Sequence, residues 1–535
     1  MDNMDLKWLP HLTPEVVEQA PGHLLCGYTI ALEGWRRGLE LKWYTNQAKE
    51  FDEINTWYDH NPGKLFSLSS EENTHYFFKS RGDLVTWKAV EDGKDKYQTK
   101  HIFKKSQVPT PAGVMCSSEQ SYSEIMNLVA NLNYPLVLKP VDGSFGRGVI
   151  TEIKNKDKLI SVFKEAKNSS QYNNIIIEEY IPGREFRLYV VNDQVVGAIE
   201  RVPANVIGDG KTSIRRLIEK KNKKRRLNPR LKHCPIKINS ELTEHLLELD
   251  YKLDDIPKKE EKVFLTKMSN ISLGGDPIDR LDTLSSKVKK IAIEALRAFP
   301  DLPHGGVDII VPSCEWEGVD EAIVLEVNPT AQIGSLLFPL EGRARDIPSA
   351  IIDYYFPESI ATKKANPYSI FEFQKILPIL KSKVVTSILI PKVINTKFSC
   401  LYKVSGDLTT YGHKIDLKEK ADTCKLYGYL KEISSHSYEL YICTDNEKNM
   451  RDYIQYVKEI RNISIREIEH NKFTMTKQHF EIKQSPKAWR NDEIKLKKVL
   501  SKLEKKNRLL KLILSARKVI RRIKSKLKRV IWLVK

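Results

Sequence analysis

The stretch Tyr134–Val149, YPLVLKPVDGSFGRGV, decides how the chain is read. Its apolar run Leu136-Val137-Leu138 has the character of a buried strand and ends at Lys139-Pro140. The loop that follows carries Gly143, Gly146 and Gly148, with Ser144 and Arg147 between them. Glycines let backbone N–H groups come close to an anion, and Lys139 and Arg147 add positive charge. The spacing is not that of a Walker A loop. A glycine-rich loop after a strand is equally an ordinary turn, so its meaning depends on what accompanies it.

Downstream, Ile175–Val202 reads IIIEEYIPGREFRLYVVNDQVVGAIERV. A buried strand leads into Glu178-Glu179-Tyr180-Ile181 and a Pro-Gly turn. Asn192-Asp193 then joins two apolar runs as a hairpin. Glu178, Glu179, Glu185, Arg187 and Arg201 stand at strand ends, where a cleft would open. Further on, His304–Val311 (HGGVDIIV) and 322–329 (AIVLEVNP) are two more buried strands. One carries Asp308, the other Glu326 and Asn328. Residues two apart on a strand share a face, so Glu326 and Asn328 point the same way. Oxygen ligands converging from neighbouring strands suit Mg²⁺ held partly by phosphates; an acid pair at a strand edge is the plain alternative. Burying an unpaired carboxylate is costly, which favours the metal.

Upstream, Lys94–Gly113 reads as a helix containing Lys100 and closed by VPTPAG. In Gly27–Tyr44 a helix ends at Gly38 and passes into a strand, with Trp35 and Trp43 as core residues. A chain of 535 residues is long enough for roughly three or four domains. No apolar run reaches transmembrane length, and the N-terminus lacks the pattern of a secretory signal. Seven scattered cysteines without a CxxC point to reduced thiols in a cytoplasmic protein, away from a zinc or disulfide framework. The net charge of +19 is uneven: residues 485–535 hold 19 Lys/Arg against three acids. The body is close to neutral and the appendage is basic.

These pieces resemble the ATP-grasp carboxylate ligases, most closely the ATP-grasp part of cyanophycin synthetases and bifunctional glutathione synthetases. The motifs run in order from about Asp95 to Glu358: DKYQTK before VPTPAG, VLKPVDGSFGRGV, EEYIPGREFR, ERVPANVIGDGKTS, NISLGGDPID, HGGVDIIV, and LEVNPTAQIGSLLFPLEGRARDI. The resemblance implies that Lys100 and Lys139 hold nucleotide phosphates and that Ser144, Gly146, Arg147 and Gly148 belong to a flap over them. It places Glu178, Glu179, Tyr180 and Ile181 at the adenine and Glu185 at the ribose. Asp308, Glu326 and Asn328 become ligands of Mg²⁺, with Mn²⁺ as the alternative. Arg187, Arg201 and Asn205 face the acceptor carboxylate or the transferred phosphoryl group. The family's paired basic residues before NxSxGG are Thr266 and Lys267 here, so a lysine stands where an arginine is usual. The implied reaction is phosphorylation of a carboxylate by ATP, then attack by an amine on the acylphosphate. The Mur-ligase-like half of the one family and the glutamate–cysteine ligase half of the other do not appear, so neither substrate is inherited. A homo-oligomer is a further family expectation. The reading from another class is a nucleotide-binding scaffold at a membrane surface, without ligase turnover.

Val404–Leu440 resembles acylphosphatase: VSGDLTTYGHK stands at its phosphate loop and LYGYLKEI at its second motif. Lys414 replaces the phosphate-gripping arginine and Glu432 the water-orienting asparagine, which favours a non-catalytic binding or packing domain over the alternative, a proofreading hydrolase of the acylphosphate. The expected architecture is α/β and α+β multidomain. A small α/β domain (1–96) precedes an ATP-grasp domain (97–358), a linker (359–381), a ferredoxin-like acylphosphatase domain (382–470) and a basic amphipathic helix (471–535). Apolar residues at helical spacing among the basic ones suit an anionic membrane surface or anionic polymer for residues 490–535. No base-reading or stacking pattern supports nucleic acid. The expected location is the cytoplasm, peripheral to the inner membrane face.

Overall fold

The computed structural model describes residues 8–46, 48–52, 54, 61–117, 119–141, 148–168, 174–312, 317–363, 366–408 and 411–483. The chain divides into two compact units, Met1–Ile394 and Asn395–Lys535.

Near the start of the first unit, after the short helix Pro14–Glu18, helix Leu25–Arg36 is buried on all sides. It ends where Gly38 adopts φ +96°, a left-handed conformation that glycine takes without steric cost. Gly34 is small because the helix lies directly on the sheet below: a Cβ there would come within 2.4 Å of Leu68 Cδ1. That sheet is antiparallel, in the order Ser387–Ile390, Glu40–Tyr44, Leu65–Ser69, Thr74–Phe78, Arg81–Gly82. Alternation along its strands sends Leu41, Trp43, Phe66, Leu68 and Phe77 into the core. Trp35 is buried as well.

Two further antiparallel sheets follow. The smaller has the order Gly113–Ser117, Asn174–Glu179, Leu136–Pro140, Ile150–Ile153. Its apolar face, with Leu136, Leu138, Ile175 and Ile177, packs with Ile125, Leu159, Val162 and Phe163 of helices Tyr122–Leu128 and Lys156–Asn168. The larger has the order Asp276–Asp279, Gln194–Val202, Arg184–Val191, His304–Val311, Ile323–Asn328. One face carries Phe186, Leu188, Val190, Val307, Ile309 and Val311 against helix Ser286–Arg297. By the same alternation the opposite face receives Glu185, Arg187 and Asp308. A bulge between Val324 and Glu326 sets Glu326 opposite Asp308.

The second unit follows the order β-α-β-β-α-β. Strands Phe398–Gly406, Tyr427–Ser434, Ser437–Thr444 and Ile463–His470 alternate with helices Tyr411–Thr423 and Glu447–Glu459. Strand Phe398–Gly406 lies between Ile463–His470 and Ser437–Thr444, each antiparallel to it. Tyr402, Val404, Leu430, Leu440 and Ile442 form the core with Leu417, Met450, Tyr453 and Val457.

Three expected boundaries move. The stretch 359–381, read as a linker, holds most of helix Phe373–Ser382, whose Phe373 ring lies 4.5 Å from that of Trp43. Strand Ser387–Ile390, read as part of the second domain, belongs to the first unit, because it completes the edge beside Glu40–Tyr44. Residues 471–483, assigned to the basic tail, include strand Phe480–Lys483, which pairs in parallel with Tyr427–Ser434. The rest of that tail lies outside the described residues. No described helix is long and apolar enough to cross a membrane.

Candidate functional site

Most of the candidate side chains gather in two groups of the first unit, each around one buried carboxylate. The first is on the smaller sheet. Asp95 caps helix Lys96–Lys105 by accepting from the backbone of Tyr97 and Gln98, which sets Lys100 on the buried side of that helix. Lys139 and Glu178 share the sheet face opposite the apolar core, since their neighbours Leu138 and Ile177 point into it. Lys100 Nζ lies 2.6 Å from Glu178 Oε2 and donates to Pro111 O at 2.8 Å. Lys139 Nζ lies 2.5 Å from Glu178 Oε1. Burial opposes the charge on Glu178, but the ammonium groups of Lys139 and Lys100 outweigh it and hold the carboxyl below its ordinary range. Burial also lowers the pKa of Lys100. Two cations on one anion leave this strand end net positive, as a polyphosphate requires.

The second group lies on the larger sheet. Register places Arg187 opposite Asp308, and Asp308 opposite Glu326. Arg187 grips Asp308 with both prongs, Nε to Oδ1 and Nη2 to Oδ2, each at 2.7 Å. Arg201 Nη2 donates to Asp308 Oδ2 at 3.0 Å and to Glu185. Its buried Nε has no hydrogen-bond partner among the described residues. Asn328 Nδ2 donates to Glu326 Oε1 at 3.1 Å. Burial would raise the pKa of Asp308, but the two guanidinium groups dominate and keep it far below the carboxylate range. Glu326 moves the opposite way, raised by burial and by the charge of Asp308. Two neighbouring carboxyls pushed apart in this way mark a place where a divalent cation would stabilise both as anions. The donors are all oxygen, which fits Mg²⁺ or Mn²⁺.

The remaining candidates are spread around these groups. Glu179 accepts from Asn133 N and Nδ2, each at 2.9 Å. Tyr180 N donates to Pro135 O, and Ile181 is half-buried in the turn beyond it. Gly148 sits at the end of the glycine loop with φ +72°. Ser144, Gly146 and Arg147 lie outside the described residues. Asn205 joins a third group instead: it donates to Asp276 at 3.0 Å, and Lys221 and Arg225 hold the same carboxylate at 2.5 and 2.8 Å. Lys267 is in none of the three. Its predecessor Thr266 donates to Met268 O across a turn, and Lys267 pairs with Glu248 at 2.6 Å, both half exposed.

Asp276, Lys221 and Arg225 were missed by the sequence reading. Asp276 lies inside the quoted NISLGGDPID motif, where an acid directly after two glycines was the available signal. Lys221 and Arg225 are one helical turn apart on Ile214–Leu227 and are hidden in its basic run.

Residues 93–265 match the RimK-like ATP-grasp domain. The chain is 36% identical over 309 residues to the glutathione biosynthesis bifunctional protein GshAB of Listeria monocytogenes serotype 4b, covering 55% of this chain and 39% of that one. It is 30% identical over 281 residues to the cyanophycin synthetase of Synechocystis, covering 51% and 31%. A crystal structure of a bifunctional glutathione synthetase from Pasteurella multocida aligns with a TM-score of 0.43 at 24% identity, over 55% of this chain and 40% of that one. The chain thus spans well under half the length of these relatives. Over residues 93–265, this chain carries a RimK-like ATP-grasp domain.

Proposed function

We propose that the chain is an ATP-dependent carboxylate–amine ligase acting on an amino-acid or peptide-like acid. The observation that carries this is the single sheet face on which Arg187, Arg201, Asp308, Glu326 and Asn328 meet, within a chain that carries an ATP-grasp domain. Relatives named for glutathione and cyanophycin synthesis support a peptide-like product.

In this reading Lys100 and Lys139 take the nucleotide phosphates, exchanging part of their hold on Glu178 for the larger anion. Glu178 to Ile181 line the adenine and Glu185 the ribose. Asp308, Glu326 and Asn328 hold Mg²⁺, which supplies charge neutralisation at the phosphates. Arg187 fixes Asp308 in its ionised state. Arg201 has a buried N–H to offer the acceptor carboxylate or the phosphoryl group in transit. A carboxylate is a poor electrophile, and phosphorylation gives it a leaving group that an amine displaces. Lys267, paired on the surface, is assigned no part in this step.

The test is isotopic. With ¹⁸O in the acid's carboxylate, ligation through an acylphosphate moves one ¹⁸O into the released phosphate. Phosphate free of label would rule that route out.

The second unit is read as a non-catalytic acylphosphatase-like domain. Lys414 is buried and lies 3.4 Å from Glu432, so the cation at the phosphate-gripping position already has a carboxylate beside it. Lys414→Ala is expected to leave acylphosphate hydrolysis unchanged. Residues 490–535 are read as the contact with an anionic membrane surface at the cytoplasmic face. Salt-sensitive binding to anionic vesicles, lost on truncation at residue 490, is the expected result.

A further inference from the structure

In the second unit, outside everything assigned above, a thiol, an imidazole and a carboxylate converge. Cys400 on strand Phe398–Gly406 stands directly opposite His470 on strand Ile463–His470. Glu467 and His470 are three apart, so a regular strand would send them to opposite faces. A bulge prevents this. Leu401 pairs with Glu469 but Tyr402 pairs with Glu467, which leaves Ile468 as the extra residue. The bulge returns Glu467 to the face that holds Cys400 and His470. One ligand atom from each of the three lies within 4.8 Å of the other two. His470 Nδ1 and Glu467 Oε1 are 3.7 Å apart.

We propose that Cys400, Glu467 and His470 form a binding site for a divalent cation of the zinc class. The donor set decides the class. Sulfur excludes Mg²⁺ and Ca²⁺, which take oxygen, while a mixed sulfur, nitrogen and oxygen set suits zinc. Three ligands leave a fourth position free. That position opens outward, because Ile463–His470 is an edge strand and both His470 and Glu467 are about half exposed. Cys400 forms the buried floor. The thiolate, the carboxylate and a neutral imidazole balance the charge of the ion. Burial pushes the Cys400 thiol up to about 11, so binding replaces the S–H bond with an S–metal bond and releases one proton to solvent. The ion would tie the edge strand to its neighbour at the bulge. The site has no short motif in the sequence, since its ligands come from two strands and one pair is aligned only by the bulge.

The test uses the full chain, reduced and stripped with a chelator, then titrated with Co²⁺ in excess Mg²⁺. The expected result is one Co²⁺ per chain bound through sulfur, with a thiolate-to-cobalt charge-transfer band in the near ultraviolet, and displacement by Zn²⁺. Cys400→Ser is expected to remove the band. His470→Ala and Glu467→Gln, on exposed side chains that leave the core intact, are expected to lower the uptake. The absence of a sulfur band in the wild type, or a band unchanged in His470→Ala and Glu467→Gln, would overturn the proposal. Because the band reports sulfur, cobalt held at Asp308 and Glu326 does not mimic it.

Discussion

The Glu178 and Asp308 groups of the first unit solve one electrostatic problem with different cations. Glu178 is buried between two lysines, and Asp308 is buried between two arginines. Each acid is held ionised by two positive neighbours. The difference is in what the cations can do when the acid is lost. A buried lysine can shed its proton, whereas a guanidinium cannot, and its planar fork fixes Asp308 through two bonds at once. The lysine group is therefore suited to exchanging partners, as a site that admits and releases a polyphosphate must. The arginine group is suited to holding a fixed geometry.

That contrast can be broken most severely at Asp308. Asp308→Ala takes from Arg187 the carboxylate that it grips and leaves Arg201 with Glu185 alone, and is expected to cost about 3–5 kcal/mol. It should also remove acid-stimulated ATP turnover by about 10²-fold or more. Denaturant unfolding and phosphate release measure the two effects. Glu178→Gln is expected to cost less, about 1–3 kcal/mol, because Lys100 can neutralise itself. Equal losses for the two variants would show that lysine and arginine are equivalent here.

The pH dependence of stability sharpens the same point. The pKa of Glu178 is depressed in the folded chain, so its contribution is present above the unfolded carboxylate value of about 4.3. It is lost as pH falls through the lower folded value. Urea unfolding between about pH 3 and pH 7 should show a shallower acid decline in Glu178→Gln than in the wild type. Parallel declines would mean that Glu178 is not held as described. The smallest effect is expected at Lys267→Ala. A half-exposed, solvent-screened pair with Glu248 adds little to stability, and phosphate release should be unchanged. A tenfold fall in release would place Lys267 at the reaction after all.

Much of this site was legible because it is written in strands. Glu326 and Asn328 are single polar interruptions of one apolar run, and period-two alternation sets them on one face before any coordinate is known; Asp308 interrupts another run in the same way, and it joins them through register and the bulge beside Glu326. Lys139, at the end of Leu136–Leu138, is readable for the same reason. What the sequence withheld were partnerships made by register. Arg187 and Asp308 are 121 positions apart, and nothing local to either states that they meet. Strand Ser387–Ile390 could not be joined to Glu40–Tyr44 by inspection, since edge pairing leaves no mark on the pattern of either strand. The resemblance places Glu178 at the adenine, but its grip on two lysines could not be read, since it depends on a helix packed from elsewhere in the chain. The bulge at Ile468 is similarly silent, because one extra residue alters the facing of its neighbours without altering their identity.

The central claim is that the Asp308 face supports ligation. Its most direct test is phosphate release from ATP and Mg²⁺ with pools of amino acids, dipeptides and small di-acids, run beside Glu326→Ala. Glu326 is chosen because it is a candidate metal ligand that carries none of the guanidinium contacts holding Asp308. Stimulation of the wild type by at least one pool, absent in Glu326→Ala, is the predicted result. ATP bound tightly by both proteins, with release unaffected by every pool, would contradict the account.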